Sequence, residues 1–181
     1  MKNDRKVILF ISMSLDGFIA TKDDDISWLS MVEKEAEDYG YNELQNRVDT
    51  YIVGNTTYQA ILKLTNGVFP QAEMYDCYVI TRQEIENKDG IIFYNGDIEK
   101  LIHQLKSKDG KDIYCDGGGQ IVKLLQEKNL IDEYVISILP ILLGDGKRLF
   151  LGENESRIKL KLEETKSFDT GLVQVRYKKI V

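Results

Sequence analysis

One histidine (His103), two cysteines (Cys77 and Cys115), two prolines and one tryptophan (Trp28) are all that these residue types contribute to a chain of 181 residues. A single histidine is too few for a His-based metal cluster, so no metal site is expected. His103 falls between the apolar positions of its own helix pattern, on a face that reads as solvated, so a Ser-His-Asp or Cys-His hydrolase is hard to build. The cysteines lie inside apolar, strand-like runs without metal-ligand spacing, and read as buried reduced thiols. No apolar run approaches the length of a membrane span, and the polar Met1 to Arg5 followed by a short apolar Val7 to Met13 does not make a targeting leader. A cytoplasmic location with no membrane partner is the expectation. Positive charge is also scarce: the formal charge is -6 and no basic stripe stands out, which argues against a nucleic-acid surface. Neither a G-x-G-x-x-G fingerprint after the first strand nor a Walker lysine loop occurs.

What the chain does have is concentrated in Asp116-Gly117-Gly118-Gly119-Gln120-Ile121-Val122. The apolar segment Ile113 to Cys115 runs into three glycines, after which apolar residues recur at helical spacing. That is a strand, a sharp turn and a helix start within about a dozen residues. Glycines let backbone approach a ligand closely, and a helix N-terminus offers unpaired N–H groups that favour a phosphate.

The rest of the chain alternates in the same way. Lys6 to Met13 reads as a central strand buried on both faces. A Glu- and Lys-rich helix is expected from Ser30 to about Arg47, with a break at Gly40. Tyr51 to Val53 is a strand leading through Gly54-Asn55-Thr56-Thr57 into a short helix. Strands follow at Tyr75 to Ile80 and Ile91 to Tyr94, then a helix capped by Asp97. After the glycine stretch, Tyr134 to Leu139 is a strand stopped by Pro140. Two final strands, about Lys159 to Ser167 and Leu172 to Lys179, are joined by the turn Asp169-Thr170-Gly171. The pattern predicts one α/β domain spanning 1-181, with a mostly parallel sheet finished by antiparallel strands. Four strand ends, Ser12 to Gly17, Gly54 to Thr57, Thr81-Arg82 and Asp116 to Gln120, stop at small or polar residues. In an open parallel sheet they share the edge where ligands bind. Hydroxyls, helix-start amides and Arg82 together favour a phosphate-bearing ligand.

Taken in order, Ser14-Leu15-Asp16-Gly17-Phe18-Ile19-Ala20, Gly54-Asn55-Thr56-Thr57-Tyr58, Val79-Ile80-Thr81-Arg82, Asp116-Gly117-Gly118-Gly119 and Leu130-Ile131-Asp132-Glu133 with Pro140 to Gly144 resemble the dihydrofolate-reductase-like superfamily. The resemblance is to the branch containing the reductase domain of the bifunctional riboflavin-biosynthesis deaminase/reductase, and it runs from about residue 6 to 180. It implies a three-layer α/β/α fold with about eight strands, NADPH as cofactor, and hydride transfer to a small heterocyclic substrate. The implied activity is that of a 5-amino-6-(5-phosphoribosylamino)uracil reductase. By position, Gly54, Asn55, Thr56 and Thr57, with Gly117, Gly118, Gly119, Gln120 and Ile121, would cradle the pyrophosphate. Thr81 and Arg82 would meet the adenosine ribose and its 2′-phosphate, and Ser12, Ile19 and Ala20 would border the nicotinamide. Trp28 followed by Glu33 imitates the spacing with which dihydrofolate reductases place a carboxylate after a loop tryptophan. That makes Trp28 a candidate substrate neighbour and Glu33 a candidate acid, with Asp16 its rival. A homodimer is implied by the family alone.

One position departs from the family: Asn55 stands where an Arg usually helps to hold the 2′-phosphate. No deaminase domain accompanies the reductase pattern. Two other readings stay open at this point, a dihydrofolate-reductase-type activity and a nucleotide-binding protein without turnover.

Overall fold

A computed structural model describes residues 5–152 and 157–180 of the chain. Residues 1–4, on which part of the leader reading rests, lie outside the described residues. The chain begins with β1 (Val7–Ser14) and the short β2 (Phe18–Ala20), then α1 (Tyr41–Arg47), β3 (Val48–Gly54) and α2 (Asn55–Leu64). It continues with β4 (Asp76–Ile80), β5 (Ile91–Tyr94), α3 (Ile98–Ser107), β6 (Asp112–Cys115) and α4 (Gly119–Glu127). It ends with β7 (Glu133–Leu139), β8 (Lys147–Arg148), β9 (Leu160–Ser167) and β10 (Val173–Lys179).

Eight of these strands form one sheet in the order β5-β4-β3-β6-β1-β7-β10-β9, and β2 pairs with β8 in a second, two-stranded sheet. From β5 to β7 every neighbour is parallel; β10 and β9 are antiparallel, as the turn at Asp169 to Gly171 requires. The central strands are apolar along their whole length because both faces are covered. One face packs Leu9, Ile113, Cys115 and Ile136 against α3 and α4, through Leu101, Ile102, Val122 and Leu125. The other packs Ile8, Tyr51, Val53 and Tyr114 under α1 and α2, through Leu44 and Tyr58. The result is the three-layer α/β/α arrangement. Both thiols are buried, and burial pushes Cys77 and Cys115 each up to about 12.

The region between Ser30 and Arg47 differs from the expected long helix. A 3-10 turn spans Ser27–Val32, and α-helix begins only at Tyr41. Between them, Ala36, Tyr39 and Gly40 take positive φ. The acidic side chains there bond to nearby backbone: Glu37 accepts from Tyr39 N, and Asp38 accepts from Gly40 N and Asn42 N. Such local bonds offer the backbone an alternative to the helical ladder. Glu33 therefore lies not in a helix but exposed at the end of the 3-10 turn, in extended backbone.

Candidate active site

Strands β3 and β6 are adjacent and parallel, yet β3 feeds α2 on one face of the sheet and β6 feeds α4 on the other. Their connections diverge, opening a crevice at the carboxyl edge where open α/β sheets bind ligands. The two turns touch: Gly54 N donates to Gly117 O at 3.0 Å, and Gly118 N donates to Thr57 Oγ1 at 3.2 Å. Gly117 has φ +88, and the Gly117–Gly118 peptide is cis. A Cβ on Gly119 would lie 2.3 Å from Arg148 O, so no side chain fits there. A Cβ on Gly54 would lie 2.8 Å from Ile121 Cγ1.

Helix ends make the crevice chemically distinct. α3, away from it, is capped by Asp97, whose carboxylate accepts from Glu99 N and Lys100 N. Neither α2 nor α4 has a side-chain cap, so their first-turn amides keep donor capacity. Asn55 Oδ1, at the start of α2, is buried without a hydrogen-bond partner among the described residues. Glycine backbone at contact distance, uncapped N-termini and hydroxyls of Thr56 and Thr57 fit the diphosphate of a nucleotide cofactor. One strand further out, Thr81 N donates to Tyr94 O, and Arg82 is exposed with no ion-pair partner among the described residues.

The structure thus brings Gly54 to Thr57 together with Gly117 to Ile121, with Ile19 beside Gly118 and Thr81-Arg82 along the same edge. Ser12 lies on β1, paired with Ser137 of β7. Ala20 is buried in β2, its carbonyl against Gly146. Trp28 packs half-buried with Val32, Leu139 and Leu172 on the β7–β10 side, its Nε1 without a partner among the described residues. No described contact joins Trp28 or Glu33 to the glycine turns.

Two aspartates at this edge differ sharply. Asp16 ties two loops together, accepting from Ser14 Oγ at 2.5 Å, Gly144 N at 2.7 Å and Leu143 N at 3.2 Å. The Ser14 hydroxyl, helped by these amides, holds its carboxyl below the usual value. Asp116, immediately before Gly117, accepts from both Tyr51 and Tyr114 hydroxyls, and burial raises its carboxyl above the usual value despite them. Its environment escaped the sequence reading, which assigned it only to the glycine stretch. The signal was present: alternation puts Tyr114 and Asp116 on one face of β6.

Lys147 and Arg148 form β8. Lys147 pairs with Asp24, and Arg148 sits 4.5 Å over the Phe18 ring. His103 is 67% exposed, as its helix position implied. No helix among the described residues is long and apolar enough to cross a membrane.

The family model of the RibD C-terminal domain matches residues 5–174. The uncharacterized protein YwjB of Bacillus subtilis (strain 168) is 37% identical over 175 residues, covering 96% of this chain and 98% of that protein. A crystal structure from Shewanella sp. PV-4, of a protein provisionally named for riboflavin biosynthesis, superposes with a TM-score of 0.87 at 31% identity, covering 97% of this chain and 99% of that one. Dihydrofolate reductase from Enterococcus faecalis, complexed with NADP(H), shares the fold at a TM-score of 0.67 and 11% identity, with both chains covered completely.

Proposed function

The chain belongs to the RibD C-terminal domain family, and from that premise we propose that it is an NADPH-dependent reductase of a small amino-substituted heterocycle, of the ribosylaminopyrimidine type. The observation that carries this reading is the pair of uncapped helix N-termini meeting over glycine backbone at the β3/β6 crevice. The bound cofactor would supply the hydride. The chain's own residues bind and orient. The two turns Gly54 to Thr57 and Gly117 to Ile121 hold the diphosphate, through the first-turn amides of Asn55, Thr56, Gly119 and Gln120 and the hydroxyls of Thr56 and Thr57. The Gly54, Gly118 and Ile121 amides bond within the turns. Thr81 and Arg82 hold the ribose and its 2′-phosphate. Ser12, Ile19 and Ala20 border the nicotinamide. Because Asn55 brings no charge, Arg82 is the cation that distinguishes NADPH from NADH.

On the substrate side, Asp116 presents a carboxylate beside the glycine turn, suited to accept N–H donors of an amino-heterocycle. The reduction also consumes a proton. Asp16 is held ionised by its Ser14, Leu143 and Gly144 bonds, which suits a loop anchor better than an acid. Glu33, exposed at the end of the 3-10 turn that carries Trp28, is the other candidate, and a Glu33→Gln variant with unchanged NADPH binding and lowered turnover would assign it the proton. The same reading takes the chain as a homodimer.

The test is NADPH oxidation by the purified chain, with a ribosylaminopyrimidine and separately with a dihydropterin. Turnover with the pyrimidine and little with the pterin is the expected result. Turnover only with the pterin would move the assignment to a dihydrofolate-type reductase. NADPH binding without oxidation in either case would leave a nucleotide-binding protein.

A further inference from the structure

Tyr51 of β3 and Tyr114 of β6 are register partners on adjacent parallel strands, their rings edge-on with centroids 5.1 Å apart. Asp116 follows two residues after Tyr114 on the same face. Tyr114 donates its hydroxyl to Oδ1 at 2.7 Å, and Tyr51 donates to Oδ2. Both phenols are buried, so each carboxylate oxygen is held by a donor fixed in the core. Among the described residues no Lys, Arg or His pairs with Asp116. A carboxylate withdrawn from water normally needs a cation or several donors. Here two neutral donors are what the fold provides.

Further hydroxyls surround the pair. Tyr75 stacks on Tyr51 at 5.9 Å and is only 8% exposed. Tyr41 comes from α1, close enough to Asp116 to feel its charge. Cys77 of β4 stands behind Tyr51 and Cys115 precedes Asp116 on β6, both as neutral thiols. The titratable groups facing Asp116 from α1, β3 and β6 are therefore the phenols of Tyr41, Tyr51 and Tyr114 and the Cys115 thiol, none of which brings a positive charge.

We propose that Tyr51 and Tyr114 are positioning residues that clamp the Asp116 carboxylate in one orientation and in its ionised form, leaving its remaining lone pairs for the paired N–H donors of an amino-substituted heterocycle. An ionised carboxylate has about four lone-pair sites, and the phenols occupy one on each oxygen. A protonated Asp116 would have to find an acceptor for its own O–H, which requires one phenol to abandon its donation. Removing either hydroxyl thus tilts the group toward the neutral acid, which burial already favours. The clamp also sets the ligand class. A cation-free carboxylate repels a phosphate or carboxylate and rewards a ligand that carries its own donors or positive charge. The proposal rests on the reductase reading of the cleft.

The test uses the full chain with carbon-13-labelled aspartate and follows the Asp116 carboxyl by NMR against pH. Asp116→Asn identifies the signal. Tyr51→Phe and Tyr114→Phe keep the rings, and each is expected to raise the titration midpoint by roughly one unit, the loss of one hydrogen bond to a charged group. The second readout is binding of 2,4-diaminopyrimidine, compared between variant and wild type at each pH so that the probe's own protonation cancels. Between the two midpoints each Phe variant should bind roughly tenfold more weakly, and above the variant's midpoint the deficit should close. Loss of the same size at every pH, or an unmoved midpoint, would overturn the clamp. Undiminished probe binding by Asp116→Asn would overturn it at the ligand end. Failure of the reductase reading shows separately, as wild-type protein that does not bind NADPH.

Discussion

The two ends of the parallel strands are built on opposite principles. At the amino end, charges are spent on one another. Arg47 holds Glu133 at 2.9 Å and Asp112 at 3.2 Å, and Arg176 reaches the same Glu133 at 3.6 Å and Glu43 at 2.9 Å. Arg5, 4% exposed, is locked to Asp49, with Thr50 Oγ1 at 2.7 Å and Leu105 O at 3.1 Å. Asp132 gathers Lys106, Lys179 and the Val7 amide. At the carboxyl end the same strands finish in glycines, hydroxyls, two uncapped helices and Arg82, which has no carboxylate partner among the described residues. One edge is closed by its own side chains; the other leaves helix-start donors and the Arg82 charge without partners among the described residues. If the proposed cofactor site is right, stability and function lie at separate ends of one sheet, and mutations at the two ends should separate in their effects.

The largest effect should come from breaking the amino edge. Glu133→Ala leaves Arg47 and Arg176 facing a buried vacancy, and urea denaturation should show a loss of about 3–5 kcal/mol. NADPH affinity of the remaining folded protein should be unchanged, and a matching fall in affinity would erase the separation. Next, Gly119→Val forces a side chain toward Arg148 O and should cost about 1–3 kcal/mol. Unlike the first variant, it should also abolish measurable NADPH binding, because the α4 N-terminus must move.

A smaller contrast concerns pH. Asp16, whose folded-state value is lowered, contributes stability that is complete above its unfolded value and is lost as pH falls through the folded one. Asp116 has the opposite sign: its folded value is raised, so its contribution declines as pH rises from the unfolded toward the folded value. Denaturation midpoints of Asp16→Asn should therefore fall less steeply in acid than those of the wild type. Those of Asp116→Asn should fall less on the way up from acid to neutral pH. The smallest effect belongs to His103→Ala, which should leave turnover and stability within about 0.5 kcal/mol of the wild type.

Much of this was legible in the sequence because it rests on local signals. Glycines after apolar strands gave the turns at Gly54 and Gly117, Asp97 gave the start of α3, and Asp169 to Gly171 gave the hairpin. The helix expected from Ser30 to Arg47, of which only the part after Gly40 forms, shows the limit. Glu, Lys and Ala have good helix propensity, but Glu37 and Asp38 bond to their own backbone and Ala36 and Tyr39 turn to positive φ, which propensity does not register. The Tyr51–Asp116–Tyr114 constellation was hidden for another reason. Its members come from two strands distant in sequence, and only the parallel register of β3 on β6 brings them together. The pairing of β2 with β8 was out of reach in the same way, since two residues at Lys147–Arg148 carry no strand pattern of their own.

The most direct test of the open edge is a titration of NADPH and NADH into the wild type and Arg82→Ala, followed by Trp28 fluorescence and repeated by calorimetry. Micromolar NADPH binding, with NADH much weaker and the difference abolished in Arg82→Ala at unchanged stability, is the predicted result. Failure of the wild type to bind either nucleotide would contradict the account.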